Sequence, residues 1–101
     1  MVKDAWRIVW TKRSQQHVRH IFEYISVDSA KNAIKVVDDI IDAVSKAVDN
    51  PKMYAPDKYK INNDGSFRAF EKHHYRISYR AANNIIRILW VQHTSRKPKM
   101  H

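Results

Sequence analysis

Between Thr11 and Asn50 the chain carries two stripes of apolar residues at helical spacing, separated only by Val27-Asp28-Ser29. In TKRSQQHVRHIFEYIS, Val18, Ile21, Phe22 and Ile25 fall at i, i+3, i+4 and i+7, with Lys12, Arg13, Gln16, Arg19 and Glu23 mostly on the wet side. In SAKNAIKVVDDIIDAVSKAVDN the spacing runs through Ala30, Ala33, Ile34, Val37, Ile40, Ile41, Val44 and Ala47. Asp28 or Ser29 can cap the second helix, and Asn50-Pro51 ends it, because proline cannot continue a helix and restrains the residue before it. Two amphipathic helices on so short a connection must form an antiparallel hairpin.

What the hairpin covers follows from the segments on either side. Trp6, Ile8 and Trp10 alternate with Arg7, Val9 and Thr11, which predicts a first strand. MYAPDKYKINNDGS reads as a loop with a turn at Asp64-Gly65. FRAFEK and YRISYR then return to period two, AANN supplies a hairpin turn, and IIRILWVQ is apolar on both sides, as a central strand should be. The order is β-α-α-β-β-β, an α+β fold in which a helical hairpin packs on one face of a twisted, mostly antiparallel sheet. Tyr75, Ile77 and Tyr79 are expected to meet the hairpin. Arg76, Ser78 and Arg80 then line the other face, which no further helix covers and which is expected to be open.

Length and composition narrow the functional classes. A chain of 101 residues holds one hydrophobic core, and residues 1–101 are read as a single domain. There is no cysteine, so disulfides, thiolate nucleophiles and cysteine-based metal sites are excluded. The opening MVKDAWRIVW is too short and too charged for a signal peptide, and no apolar run approaches the ~20 residues of a membrane span. A cytoplasmic protein with no membrane association is expected. Residues 1–66 hold 11 Lys/Arg against 9 Asp/Glu; residues 67–101 hold 8 against the single acid Glu71. So strong a basic excess in the last third favours a polyanion or an acidic partner.

The strongest chemical pattern lies there. His93, Thr94, Ser95 and Arg96 leave the last strand, and are expected to emerge near the basic face of YRISYR, where Arg68 can join them. Arginine holds phosphate through a rigid fork of donors, and histidine exchanges protons near neutral pH. Together they suffice for metal-free RNA cleavage: the 2′-hydroxyl attacks the adjacent phosphate, cations stabilise the added charge, and an acid protonates the leaving oxygen. The competing reading of these arginines is a solvated surface, and of Arg96, Lys97 and Lys99 a basic end without a partner. Arg76, at a central strand position facing an open surface, is where function is favoured. The aromatic residues Trp6, Trp10, Phe22, Tyr24 and Trp90 are read as core, with Trp90 ambiguous because Leu89 and Val91 point the other way. His17 and His20, at i and i+3, are read as exposed. Asp38, Asp39 and Asp42 form a solvated helix face. His73 and His74 fall in a hairpin turn, and no spacing supports a metal site. No cofactor is expected.

Taken together, WRIVWTKRS, the hairpin broken at YISVDSAKNA, the YRISYR strand and the IIRILWVQHTSRKP ending resemble toxins of type II toxin–antitoxin modules in the RelE/ParE superfamily, over nearly the whole chain. The resemblance implies a sheet packed on one side by the hairpin, and a cognate antitoxin that offers an acidic or amphipathic segment, with a heterotetramer plausible. It also implies one of two targets. RelE-like members cut messenger RNA on the ribosome. ParE-like members block DNA gyrase and are not enzymes. On the RelE pattern, Arg76 matches the arginine of the YR-apolar-apolar-Y strand and Arg68 the basic residue of the strand before it, both on phosphate, with His93 in proton transfer. Arg80, Arg96 and Lys97 would contact phosphate or nucleic acid, and Arg68, Arg76 and Arg96 the antitoxin. The C-terminal tyrosine of RelE is missing, which makes His93 and His101 the candidates in its place, and Thr94 stands where an arginine is expected. The bend at SVDSAKNA looks more like ParE. A third reading is a nucleic-acid-binding module without toxicity.

Overall fold

Thr11 decides where the first strand becomes a helix. In the computed structural model, which describes residues 5–98, 100 and 101, strand β1 (Arg7–Trp10) ends at this residue and helix α1 (Lys12–Ser26) begins. Lys99 and the first four residues of the opening segment lie outside the described residues. The Thr11 hydroxyl accepts the Ser14 amide at 3.2 Å as an N-cap and donates to the Ile88 carbonyl at 2.7 Å. One side chain thus satisfies a helix end and ties it to the sheet. Ser29 caps helix α2 (Ala30–Lys46) by accepting the Asn32 amide at 3.0 Å. The α2 spacing runs to Asn50 in the sequence, but the helix stops a turn earlier. Val48 and Asp49 tighten to bonds with the carbonyls three residues back, as helix ends commonly do.

The remaining strands are β2 (Phe67–Lys72), β3 (Tyr75–Ala82) and β4 (Ile85–His93), in a four-stranded sheet of order β1-β4-β3-β2. β1 runs parallel to β4 and the other pairs are antiparallel. The apolar strand β4 lies between two neighbours, as its composition requires. The two antiparallel turns are His73-His74 and Asn83-Asn84, with all four residues at positive φ, the geometry of tight hairpin turns. Asparagine tolerates this conformation; two histidines do so at a steric cost.

Both helices lie on one face of the sheet. The core joins Ile21, Val36, Ile40 and Val44 to Tyr75, Ile77, Tyr79, Ile86, Ile88 and Val91, with Trp6, Ile8 and Trp10 packed around it. The Tyr79 hydroxyl is buried and reaches the Pro51 carbonyl at 3.2 Å; burial pushes its pKa up to about 12. Part of the expected helical core is outside. Phe22 is exposed, and Ile34 and Ile41 are 52% and 43% exposed, while Val36 and Ala43 are buried instead. The apolar stripe of α2 is wider than the face a single sheet can cover. Among the described residues no helix is long and apolar enough to cross a membrane.

Candidate functional site

The face opposite the helices differs from the open basic surface expected above. Cross-strand pairing places Arg76, Ser78 and Arg80 there, beside Gln92, Trp90 and Arg87. Yet Ser78 is 1% exposed, because the irregular segment between α2 and β2 folds across this face. Asp57 donates its amide to the Phe67 carbonyl, Ala69 donates to the Ala55 carbonyl, and Pro56 bridges Arg68, so the segment is stitched to the outer edge of β2. An irregular loop has no periodicity to announce this, and only counting where its backbone groups are satisfied could have raised it.

Asp57 is the centre of the covered face. Its side chain is 2% exposed; one carboxylate oxygen accepts from Arg76 Nη2 at 2.7 Å and from the Tyr59 amide at 3.0 Å, and the other meets His101 Nε2 at 2.9 Å. Burial pushes the Asp57 carboxyl up, but the hydrogen bonds from His101, the Tyr59 amide and Arg76, with the Arg76 charge, outweigh it and hold the group below the ordinary aspartate value. The Arg76 guanidinium also lies 4.7 Å from the Tyr59 ring centroid. His101 packs edge-on against Trp90 at 4.6 Å and pairs its backbone with Tyr59 and Ile61. The candidate phosphate-binding arginine is thus already committed to a buried carboxylate.

Trp90 reaches this face through a β-bulge. Ser78 pairs with Trp90 and Tyr79 with Ile88, which leaves Leu89 as the extra residue. Ile88 and Val91 therefore both point to the core, and Trp90 points away from it. The bulge resolves the ambiguity of Trp90, and nothing in the residue types predicts it.

Arg68 and His93 lie elsewhere. Arg68 pairs with Tyr79 and so belongs to the helix-bearing face, where its guanidinium donates to the carbonyls of Gly65, Lys52 and Tyr54. His93 pairs with Tyr75 and shares the same helix-bearing face, its ring edge-on to Tyr75 at 5.2 Å. Arg76, Arg68 and His93 are therefore not brought together: one lies on the outer face, and two lie at separate places on the other. Arg80 and Arg87 are cross-strand neighbours, both exposed on the outer face, with Arg80 also over the Phe67 ring. Arg87 was not singled out in the sequence, although its alternation with Ile86 and Ile88 would have found it. Arg96 and Lys97 are exposed beyond β4.

His93 and Arg96 instead join α1. A cleft of about 890 Å³ between α1 and the end of β4 is lined by His17, His20, Tyr24, Tyr75, His93 and Arg96, among others. His17, expected to be exposed, is half-buried and accepts the Val91 amide through Nδ1 at 3.1 Å. β1 pairs with β4 only as far as Ile88, so the rest of that edge is uncovered and the imidazole takes the place of a strand. Burial, with the charges of Arg13, His20 and Arg96, lowers the His17 pKa. Among the described residues no group of three or more His, Asp or Glu is placed to hold a metal ion.

Comparison with known proteins agrees with the architecture. The family described as ParE toxin of type II toxin–antitoxin system, parDE, matches residues 8–98. A search of curated proteins returns no match. Among solved structures, the chromosomal ParDE toxin–antitoxin system from P. aeruginosa superposes with a TM-score of 0.70 at 20% identity, covering 88% of this chain and 96% of that one. The toxin–antitoxin complex RelBE2 from Mycobacterium tuberculosis gives 0.59 at 14% identity, covering 89% and 99%. At these identities the two structures speak for the fold, and the family match spans nearly the whole chain: it belongs to the family of ParE toxins of type II toxin–antitoxin systems.

Proposed function

We propose that this chain is a toxin that blocks DNA gyrase by surface contact, without catalysis, and is neutralised by a cognate antitoxin. One observation carries the choice over RNA cleavage. The residues that cleavage would need in one place are divided between two faces of the sheet, and Arg76 is bound to Asp57 at 2.7 Å. General acid–base chemistry on a phosphodiester needs proton donor and charge stabiliser within hydrogen-bond reach of the same group. A docking surface has no such requirement. Arg80 and Arg87, adjacent and exposed, supply a positive patch suited to an acidic protein surface. The antitoxin supplies an acidic or amphipathic segment to the basic surfaces, and a toxin–antitoxin heterotetramer is the expected assembly.

The test is induction in cells of the wild type, His93→Gln, and Arg80→Glu combined with Arg87→Glu. Growth, DNA damage and ribosomal messenger cleavage are followed together. The proposal expects arrest with DNA damage and intact messenger, retained in His93→Gln and weakened in the double variant. Cut messenger that disappears with His93→Gln would overturn it in favour of the nuclease. No arrest in the wild type would leave a binding module.

A further inference from the structure

The cleft between α1 and the end of β4 contains two imidazoles fixed in the same tautomer by backbone amides. His17 Nδ1 accepts the Val91 amide at 3.1 Å. His93 Nδ1 accepts the Ser95 amide at 3.0 Å and lies 2.8 Å from the Ser95 hydroxyl. A ring nitrogen that accepts a backbone N–H carries no proton, so both neutral rings hold theirs on Nε2. Each therefore presents an N–H donor on the side away from its anchor. The anchors are the amides of Val91, on the uncovered edge of β4, and of Ser95, just beyond the end of that strand. Arg96 lines the same cleft and lies near enough to His17 for its charge to be felt there, and its guanidinium has no ion pair among the described residues.

Two imidazole N–H donors and a guanidinium without an ion pair among the described residues line this one cleft, a set that suits a tetrahedral oxyanion, whose several oxygens need donors from different directions. The cleft is much larger than a phosphate, and its size falls in the range of small-ligand sites. The phenol ring of Tyr24, which is 77% exposed, stands on its wall, with Tyr75 buried beneath at 7%. Exposed aromatic faces beside phosphate donors are the means by which proteins hold a base together with its phosphate.

We propose that this cleft binds a nucleoside phosphate, the phosphate on His17, His93 and Arg96 and the base against the Tyr24 ring. The site does not rest on the gyrase reading, and is independent of whether the toxin arrests growth.

The test is a titration of the 101-residue chain, followed by amide NMR, with adenosine monophosphate, inorganic phosphate and adenosine in parallel. Adenosine monophosphate is expected to bind, shifting the Val91 and Ser95 amides together with the Tyr24 ring signals. Inorganic phosphate is expected to shift the two amides only, and more weakly. Arg96→Ala is expected to weaken the nucleotide roughly tenfold or more with an unchanged melting temperature, which separates lost binding from lost folding. The proposal is overturned if nucleotide at millimolar concentration leaves both amides unmoved, if Arg96→Ala binds as well as the wild type, if adenosine alone gives the full response, or if only an acidic peptide, and no nucleotide, moves these signals.

Discussion

On the outer face of the sheet, Asp57 collects Arg76, the Tyr59 amide and His101 around one buried carboxylate. On the opposite face, at the end of β4, His17, His93 and Arg96 border a cleft, and none of the three is ion-paired among the described residues. Both places are built from the residue types that composition marks as functional. In the first, every charge is paired, and the group acts as a fastening between the segment before β2, the sheet and the last residue of the chain. In the second, each of the two imidazoles is held by a backbone amide, and Arg96 is exposed. The comparison teaches that charge alone does not identify a site. What distinguishes the two is whether a buried partner has already taken the charge.

The difference gives a ranked set of expectations. Arg76→Ala leaves the Asp57 carboxylate buried with only part of its compensation, and is expected to cost roughly 2–3 kcal/mol of stability in urea denaturation. Asp57→Asn with Arg76→Gln together should cost less than the sum of the single changes, a coupling a double-mutant cycle reads directly. If Arg76→Ala unfolds at the same urea concentration as the wild type, the fastening is not energetic. Arg68→Ala comes next, at about 2 kcal/mol, since it releases a loop held by three carbonyls. His74→Gly works in the other direction: its φ of 67° is relieved, with a gain of about 1 kcal/mol. Arg96→Ala in the cleft should lie within about 0.5 kcal/mol of the wild type. A large loss there would mean that the cleft, too, is structural.

Acid separates the same two places. The His17 pKa is lowered in the fold, so the unfolded chain takes up that proton first. Its contribution is complete above the ordinary histidine value and is lost as pH falls from there through the lower folded value. The Asp57 pKa is also lowered, so its contribution is complete above the ordinary aspartate value and disappears as pH falls through the folded value beneath it. A stability–pH profile is expected to fall in two stages. His17→Gln should remove the stage nearer neutrality, and Asp57→Asn should diminish the more acidic one, to which Asp39 and Asp64, also lowered in the fold, contribute the rest. At the other extreme, the Tyr79 phenol, raised to about 12, makes stability fall as pH climbs from the ordinary tyrosine value toward 12.

The elements were legible because each is periodic over several residues. The helical hairpin, the alternation of YRISYR and the apolar run of β4 gave the order, the layer and the faces. Arg76 and Arg80 were placed on the correct face for the same reason. What the face looks like was not legible. The segment from Pro51 to Ser66 has no period, so nothing in it announces that Asp57 will be buried under Arg76. The bulge at Leu89 has no residue signature either, although it decides which side Trp90 and Val91 take. His17 depends on a still less local fact: β1 is only four residues long, and the edge of β4 it leaves bare needs an acceptor. His93 was expected beside Arg76 because the last strand adjoins YRISYR, and it does adjoin it. Counting register through the bulge turns it to the other face.

The most direct test of the central claim, that this fold carries a docking surface and not an RNA-cleaving constellation, uses the purified chain in two reactions side by side. One is supercoiling by DNA gyrase, the other a ribosome programmed with messenger. The account predicts inhibited supercoiling and uncut messenger, with His93→Gln indistinguishable from the wild type in both. Messenger cut on the ribosome, with gyrase unaffected, would contradict it.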